Sequence, residues 1–459
     1  MTPPFEAAEM MDWVARIVDR GIRRPGTAAD LWTEQWAAKL LSSFGIDDVR
    51  LEPVPVTAWQ VDAHHLSVDG VTLPHLPVPY SGSAPEGVTA PIVPFADGTN
   101  DVRGAIALVE IDFTRLPQAW LATQATATFD PEGGFADHVQ TLPFSRHLQL
   151  VMEPAIAAGA VGFIGALSGV PWDTHDYFVP YDAVRRPIPG TWISRSTASR
   201  LTRALADGPG LGRLVLDAST PVVDTHNVVA TLEGASEEWV IVASHHDGPW
   251  ASAVEDAVGV ALVLAQAQRW ASVPAAGRPH NMCFLLTSGH MAHAAGTRAF
   301  ITDHPEIVER TVVQLHLEHA ARECRVDGDV LVPTDDPEPR WWFTSRIDAL
   351  EDAVLDALRQ QDLGRSHILP PDVFGDMPST DGAFFHPAGV PLVHFLTAPM
   401  YLFDSCDTID KVHEASLEPL SRAVASILDR SRTWSAAGMR AAVRQGGAPR
   451  AATIEVVPA

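Results

Sequence analysis

A chain of 459 residues is long for one hydrophobic core and predicts two domains. Its 46% apolar and 19% charged residues are those of a folded globular protein. The net charge of −25 disfavours a general basic surface for nucleic acid or anionic membrane.

Three cysteines, Cys283, Cys324 and Cys406, are odd in number and widely spaced. They form neither a zinc-finger pattern nor a disulfide framework, so a reducing, cytoplasmic location is expected. The N-terminus lacks a basic start followed by an apolar run, and predicts no secretory leader. No stretch of ~18 uninterrupted apolar residues predicts a membrane span. The oligomeric state stays open, a homo-oligomer included.

In chain order, residues 5–20 have helical apolar spacing, with Gly21 just past the end. A second helix is predicted over 29–43, stopped near Gly45. Residues 55–220 change character: Pro and Gly are frequent and short β-like runs recur. AIALVEI (105–111) follows Arg103-Gly104 as a strand, and AIAAGAVGFIGAL (155–167) reads as a small-residue helix passing through Gly159 into a strand. Residues 168–195 are rich in Trp, Asp, Tyr and Pro, and would be either a lid over a site or a packed surface loop. From Asn227 strands and helices alternate: strands 227–234, 237–244, 279–289, 311–321 and 390–398, and helices from Asp256 to about Ser272, over 346–361 and over 414–432. That alternation predicts an α/β fold with a largely parallel sheet. The expected division is 1–54 with 221–435 as one discontinuous domain, 55–220 as an insert, and 436–459 as a tail that frays.

The most informative stretch is 239–261. WVIVA (239–243) is a buried-type strand that ends in Ser244-His245-His246-Asp247, and Glu255-Asp256 then opens a helical run. Strand ends of this kind are where open α/β sheets build sites. Imidazoles and carboxylates are the ligands a zinc site needs. The chain supplies both within about ten residues. His245, His246, His290, His293, His316 and His319 all fall near three predicted strand ends.

The register resembles the zinc-dependent exopeptidase family that includes bacterial aminopeptidases, glutamate carboxypeptidases and glutaminyl cyclases. His245-His246-Asp247 is similar to the family's H-x-D, which implies His245 as metal ligand and Asp247 as the group orienting it. Residues 255–261 are similar to D-N-x-S-G-x-A from Ala257 onward. Counting back from Gly259 puts Glu255 at the metal-bridging position, with the adjacent Asp256 as the alternative ligand. The resemblance implies a three-layer α/β/α domain with a mixed, largely parallel sheet. It also implies an inserted β-rich domain similar to a protease-associated domain, carried by residues 105–111 and 155–167.

The departures follow a pattern. Where the family has E-E-x-G-L-x-G-S, this chain reads His290-Met291-Ala292-His293-Ala294-Ala295-Gly296-Thr297, so His290 takes the general-base position and Met291 a ligand position. A thioether is a poor ligand for a hard divalent ion. Where the family has N-L-D, this chain reads His316-Leu317-Glu318, and Glu318 takes the ligand position. The family's late histidine ligand is Leu402 or Phe403 here, beside Tyr401, and Asp381 matches the Asp of S-D-H. The ligands of one metal survive as His245, Glu255 and Glu318; those of the other are lost.

The expectation is therefore an enzyme with one divalent ion, zinc first and manganese or iron as alternatives. His290 would act as its general base on a C–N bond of a small peptide, amide or amino-acid derivative. Hydrolase, cyclase and lyase chemistry all stay open. His246, His293, His316, His319, Trp250, Asp381 and Tyr401 are expected around the substrate or behind the ligands. Two rivals remain: a homologue that binds without chemistry, and a two-metal aminopeptidase that recruits other ligands, such as Asp404 or His394.

Overall fold

The computed structural model describes residues 5–96, 100–145, 150–444 and 453–454. A ten-stranded sheet dominates it. In spatial order its strands are Asp48–Thr57, Val222–Leu232, Asn281–Thr287, Trp239–His245, Thr311–Leu317, Leu392–Thr397, Arg340–Thr344, Ser366–Leu369, Ala127–Phe129 and Thr453–Ile454. Trp239–His245 has parallel partners on both sides, and the next strand out is parallel too. A strand in that position is buried on both faces, which is why WVIVA is continuously apolar and not alternating.

Alternate residues of these strands serve two cores. Val228, Val240, Val242, Phe284 and Leu315 face a cluster that includes Val258, Leu262 and Leu264 of the helix Val258–Ala271, and Leu420 and Val424 of the helix Glu414–Arg430. Val229, Ile241, Ala243, Cys283 and Leu285 face the other side, against Phe300, Ile307 and Val308. Helices thus cover both faces of a mixed sheet whose centre is parallel, the three-layer architecture expected. The helices Ala7–Val18, Ala28–Ser43 and Asp348–Gln360 also lie where periodicity put them.

Residues 60–219 contribute a second sheet of eight strands, with Leu66, Ile92, Ile106, Ile164, Ile193 and Leu214 in its own core. Ile106–Asp112 and Gly162–Gly169 are parallel neighbours within it. The short helix Glu153–Ala157 turns into the latter strand through Gly159 at φ +86°. One segment of the expected insert goes elsewhere. Ala127–Phe129 pairs with Ser366–Leu369 and becomes part of the large sheet.

Three further departures have local causes. The strand expected over 311–321 ends at Leu317, because His319 turns the chain with φ +51°. Glu255 and Asp256 are not helical, so the helix begins at Val258. The hairpin Arg322–Asp327 with Val330–Pro337 has mostly exposed or half-buried residues, and so gave little apolar signal. In the expected tail, Ala436–Ala441 is helical, with Ala436 and Met439 buried. The fraying expected from about 440 falls mostly on residues outside the described ones. Among the described residues no helix is long and apolar enough to cross a membrane.

Gly259 is the point where the helix Val258–Ala271 meets the strand ends. A Cβ there would lie 2.1 Å from Asp256 Oδ2 and 2.5 Å from the Leu317 carbonyl. Gly259→Ala should therefore destabilise the protein by about 1–3 kcal/mol despite the helix preference of alanine. Denaturant unfolding of the two proteins checks this.

Candidate metal centre

Four buried side chains converge beyond the C-terminal ends of the central strands. His245 closes its strand, and its Nδ1 bonds the Asp247 carbonyl at 2.9 Å. The other nitrogen, Nε2, has no hydrogen-bond partner. It lies 3.7 Å from Glu255 Oε1 and 3.9 Å from Glu318 Oε1. Glu255 is carried by the irregular turn before Val258, and neither of its carboxylate oxygens has a well-formed hydrogen bond. Glu318 follows directly on the strand Thr311–Leu317. It takes bonds from His316 Nε2 at 2.7 Å and from the Thr380 hydroxyl at 2.7 Å. His319 Nε2 lies 2.6 Å from Glu255 Oε2 and 3.6 Å from Glu318 Oε2.

Buried polar atoms without partners are rare because each forfeits its hydration. Here His245 Nε2, both Glu255 oxygens and His319 Nε2 are all in that position and all face one another. Their chemistry, imidazole nitrogen and carboxylate oxygen, is that of a divalent-cation site. Three sets of residues bring ligand atoms within 4.8 Å: His245, Glu318 and His319; His245, Glu255 and His290; and His316, Glu318 and His394.

The charged groups of this cluster act on one another. Burial, reinforced by His290, depresses His245 to about 3, so it is neutral. Burial alone would raise Glu255, but the imidazoles of His319, His290 and His245 together outweigh it and hold the carboxyl well below its ordinary range. His319 is pushed up to about 10, because Glu255 overcomes the effect of burial. His290 is raised in the same way by Asp381.

His290 stacks on the His245 ring at 4.1 Å. Its Nδ1 is 2.5 Å from Asp381 Oδ1, and its Nε2 is 3.3 Å from Glu255 Oε1. Asp381 is fixed in turn by the hydroxyls of Thr287 and Thr297. Beside this group lies a cavity of about 360 Å³ lined by Tyr181, His290, His293, Thr380, Asp381 and Phe384, among others. Tyr181 comes from the 168–195 stretch, whose backbone is tied down where the Phe178 N–H donates to the Phe403 carbonyl. That stretch is thus both packed and part of the cavity wall.

Other expected residues stand differently. The Asp247 carboxylate does not orient His245, since it is 3.9 Å away; it accepts the N–H groups of His290 and Met291, and the Asp247 carbonyl holds His245 instead. Asp256 Oδ2 comes within 4.0 Å of His245 Nε2, but its carboxylate is already satisfied: it accepts the Ser244 hydroxyl and the N–H groups of Gly259, in the first turn of the helix, and of His319. His246 faces the opposite way, bonded to Asp30 and to the His226 carbonyl. Trp250 donates to the Phe403 carbonyl, and the Tyr401 hydroxyl donates to the Arg322 carbonyl; neither lines the cavity. Met291, Leu402 and Phe403 are buried among apolar neighbours. His293 is exposed on the cavity wall against Phe384. His316 and His394 sit behind Glu318, as direct cross-strand partners.

Three residues of the site leave little signal in the sequence. His319 was expected outside the ligands, yet its left-handed backbone turns it inward. His394 could have been recognised as the lone histidine inside the apolar strand VPLVHFLTA. Tyr181 carried no signal beyond its place in the Pro-rich stretch.

Residues 227–428 match the model of peptidase family M28. No curated protein matches the chain. Solved structures do. A peptidase M28 precursor from Shewanella amazonensis SB2B aligns with TM-score 0.70 at 19% identity, covering 92% of both chains. A zinc aminopeptidase from Bacillus subtilis aligns with TM-score 0.66 at 16% identity, covering 97% of this chain and 98% of that one. An aminopeptidase from Aneurinibacillus sp. strain AM-1 aligns with TM-score 0.63 at 16% identity, over 94% of both. At these identities the likeness is one of fold.

The adjacent carboxylates can be told apart experimentally. Glu255→Gln should lower bound metal sharply, whereas Asp256→Asn should leave it near the unmutated level. Elemental analysis of the two variants checks this, and the reverse order would make Asp256 the ligand.

Proposed function

We propose, on the premise that residues 227–428 belong to peptidase family M28, that the protein is a metal-dependent hydrolase. It cleaves a C–N bond in a small peptide, amide or amino-acid derivative. The observation carrying this reading is the group of partnerless buried donors beside an open cavity. That cavity, at about 360 Å³, falls in the size range of small-ligand sites, which supports a small substrate.

His245, Glu255 and Glu318 are the residues that would hold the ion. One ion is favoured, because Met291 and Leu402 or Phe403 stand where further ligands would be needed. Nitrogen and carboxylate donors suit zinc, and manganese or iron as alternatives. When bound, the ion supplies Lewis acidity toward a carbonyl oxygen.

The protein's own groups do the rest. His290 is the acid–base residue: Asp381 fixes its Nδ1 and orients the ring, and Nε2 faces Glu255 next to the cavity. A general base must lie within hydrogen-bond reach of the proton it takes, and among the cavity-lining side chains His290 is the imidazole nearest the ligand group. Asp381 acts through His290 as a positioning residue. Tyr181 and Phe384 exclude water from one side of the cavity. The protease-associated character of the insert and a cytoplasmic location belong to the same reading; the latter is supported by three unpaired cysteines.

Protein purified without chelator should contain metal and should hydrolyse members of a panel of aminoacyl and N-blocked amides. Chelation should abolish turnover, and added zinc should restore it. His290→Ala should lower kcat by about 10²–10⁴ with bound metal unchanged. Absence of metal, with no turnover on adding zinc, manganese or iron, would sink the proposal.

A further inference from the structure

We infer that His319 is itself a metal ligand, and that it supplies the nitrogen donor this site lacks at Leu402 or Phe403. The inference rests on the metal-dependent reading above and deepens it.

The first observation is the way the ring is held. Metal-binding histidines characteristically donate one ring N–H to a carbonyl or carboxylate, which leaves the other nitrogen with its lone pair toward the ion. His245 does this, with Nδ1 on the Asp247 carbonyl at 2.9 Å. His319 does the same, with Nδ1 on the Thr397 carbonyl at 3.0 Å. In both residues Nε2 is buried, has no well-formed hydrogen bond, and is aimed into the same space. His316, by contrast, spends its Nε2 on Glu318 and its Nδ1 on Gln314.

Spacing is the second. Two ligands about 2.1 Å from one ion at a tetrahedral angle sit about 3.4 Å apart. His319 Nε2 is 3.6 Å from Glu318 Oε2, His245 Nε2 is 3.9 Å from Glu318 Oε1, and His245 Nε2 is 3.7 Å from Glu255 Oε1. The contact between His319 Nε2 and Glu255 Oε2 is shorter, at 2.6 Å. Two imidazoles and two carboxylates then give one ion four donors, without any contribution from Met291, Leu402 or Phe403.

The third is the backbone. His319 has φ +51°, a conformation that costs a non-glycine residue of order 1–3 kcal/mol. Three contacts hold it there: its N–H donates to Asp256 Oδ1, its carbonyl accepts from the Thr397 hydroxyl, and its ring bonds the Thr397 carbonyl. The strained turn is what brings the ring beside Glu318, its immediate neighbour, on the same side as His245.

The competing account is that His319 is an imidazolium paired with Glu255 and never touches metal. X-ray absorption at the zinc edge of the unmutated full chain, together with zinc content of His319→Ala and His319→Gln, separates the two. Two imidazoles per zinc, with most zinc lost in both variants, is the expected result. One imidazole per zinc, or stoichiometric zinc retained in either variant, overturns the assignment and leaves the metal-dependent reading standing. If the variants do not fold, the imidazole count on the unmutated protein still decides: a count of one overturns the inference. An unmutated protein that binds no zinc, manganese or iron overturns both this inference and the hydrolase proposal.

Discussion

The organisation of the molecule depends on one electrostatic constraint: carboxylates and imidazoles are gathered where almost no water reaches. Glu255, Glu318, Asp256, Asp381, His245, His290 and His319 are all buried. Isolated charges in such a place would lose far more hydration energy than a folded domain has to spare. The arrangement is tolerable because each charge has an answer. Asp381 has His290 and two threonines, Glu318 has His316 and Thr380, and Asp256 has a hydroxyl and two N–H groups. Glu255 with His319 is the exception, satisfied by charge but not by hydrogen-bond geometry.

The parallel sheet makes this crowding achievable. Strands that run the same way end at the same edge, so the chain leaves Trp239–His245, Asn281–Thr287, Thr311–Leu317 and Leu392–Thr397 on one side. Each exit contributes a polar residue: His245, the 287–290 turn, Glu318 and Thr397. The apolar interior of each strand anchors these exits.

Much of this was legible in the amino-acid sequence, and the limits are instructive. Long apolar runs and helical stripes located the central strands and five helices, because burial on one or both faces leaves a period in the residues. His245, Glu255, Glu318 and His290 were readable because motif spacing, anchored on Gly259 and Gly296, survives changes in the residues themselves. Side-chain direction was not readable. In the sequence Asp247 looks like the group that orients His245 and Asp256 like an alternative ligand, yet backbone amides claim both. His319 looks like the residue after a ligand, and only its left-handed φ turns it inward. Tyr401 sits in a motif-like stretch, but its hydroxyl is taken by a main-chain carbonyl. The hairpin 322–337 went unnoticed since its strands are half solvated and leave no apolar period.

The strand Ala127–Phe129 has a consequence for how this protein could have been assembled in evolution and how it could be dissected. In sequence it lies between strands of the second sheet, and its nearest neighbours, Arg115–Pro117 and Val139–Thr141, pair with each other, but it is hydrogen-bonded to Ser366–Leu369 at the far side of the large one. Thr128 also bonds His367, whose other nitrogen bonds Gln118. The β-rich region is therefore stitched into its host in mid-course as well as at its two ends. It is not a detachable module. Excising it would cut the strand Ala127–Phe129 out of the large sheet and remove Tyr181 from the cavity wall.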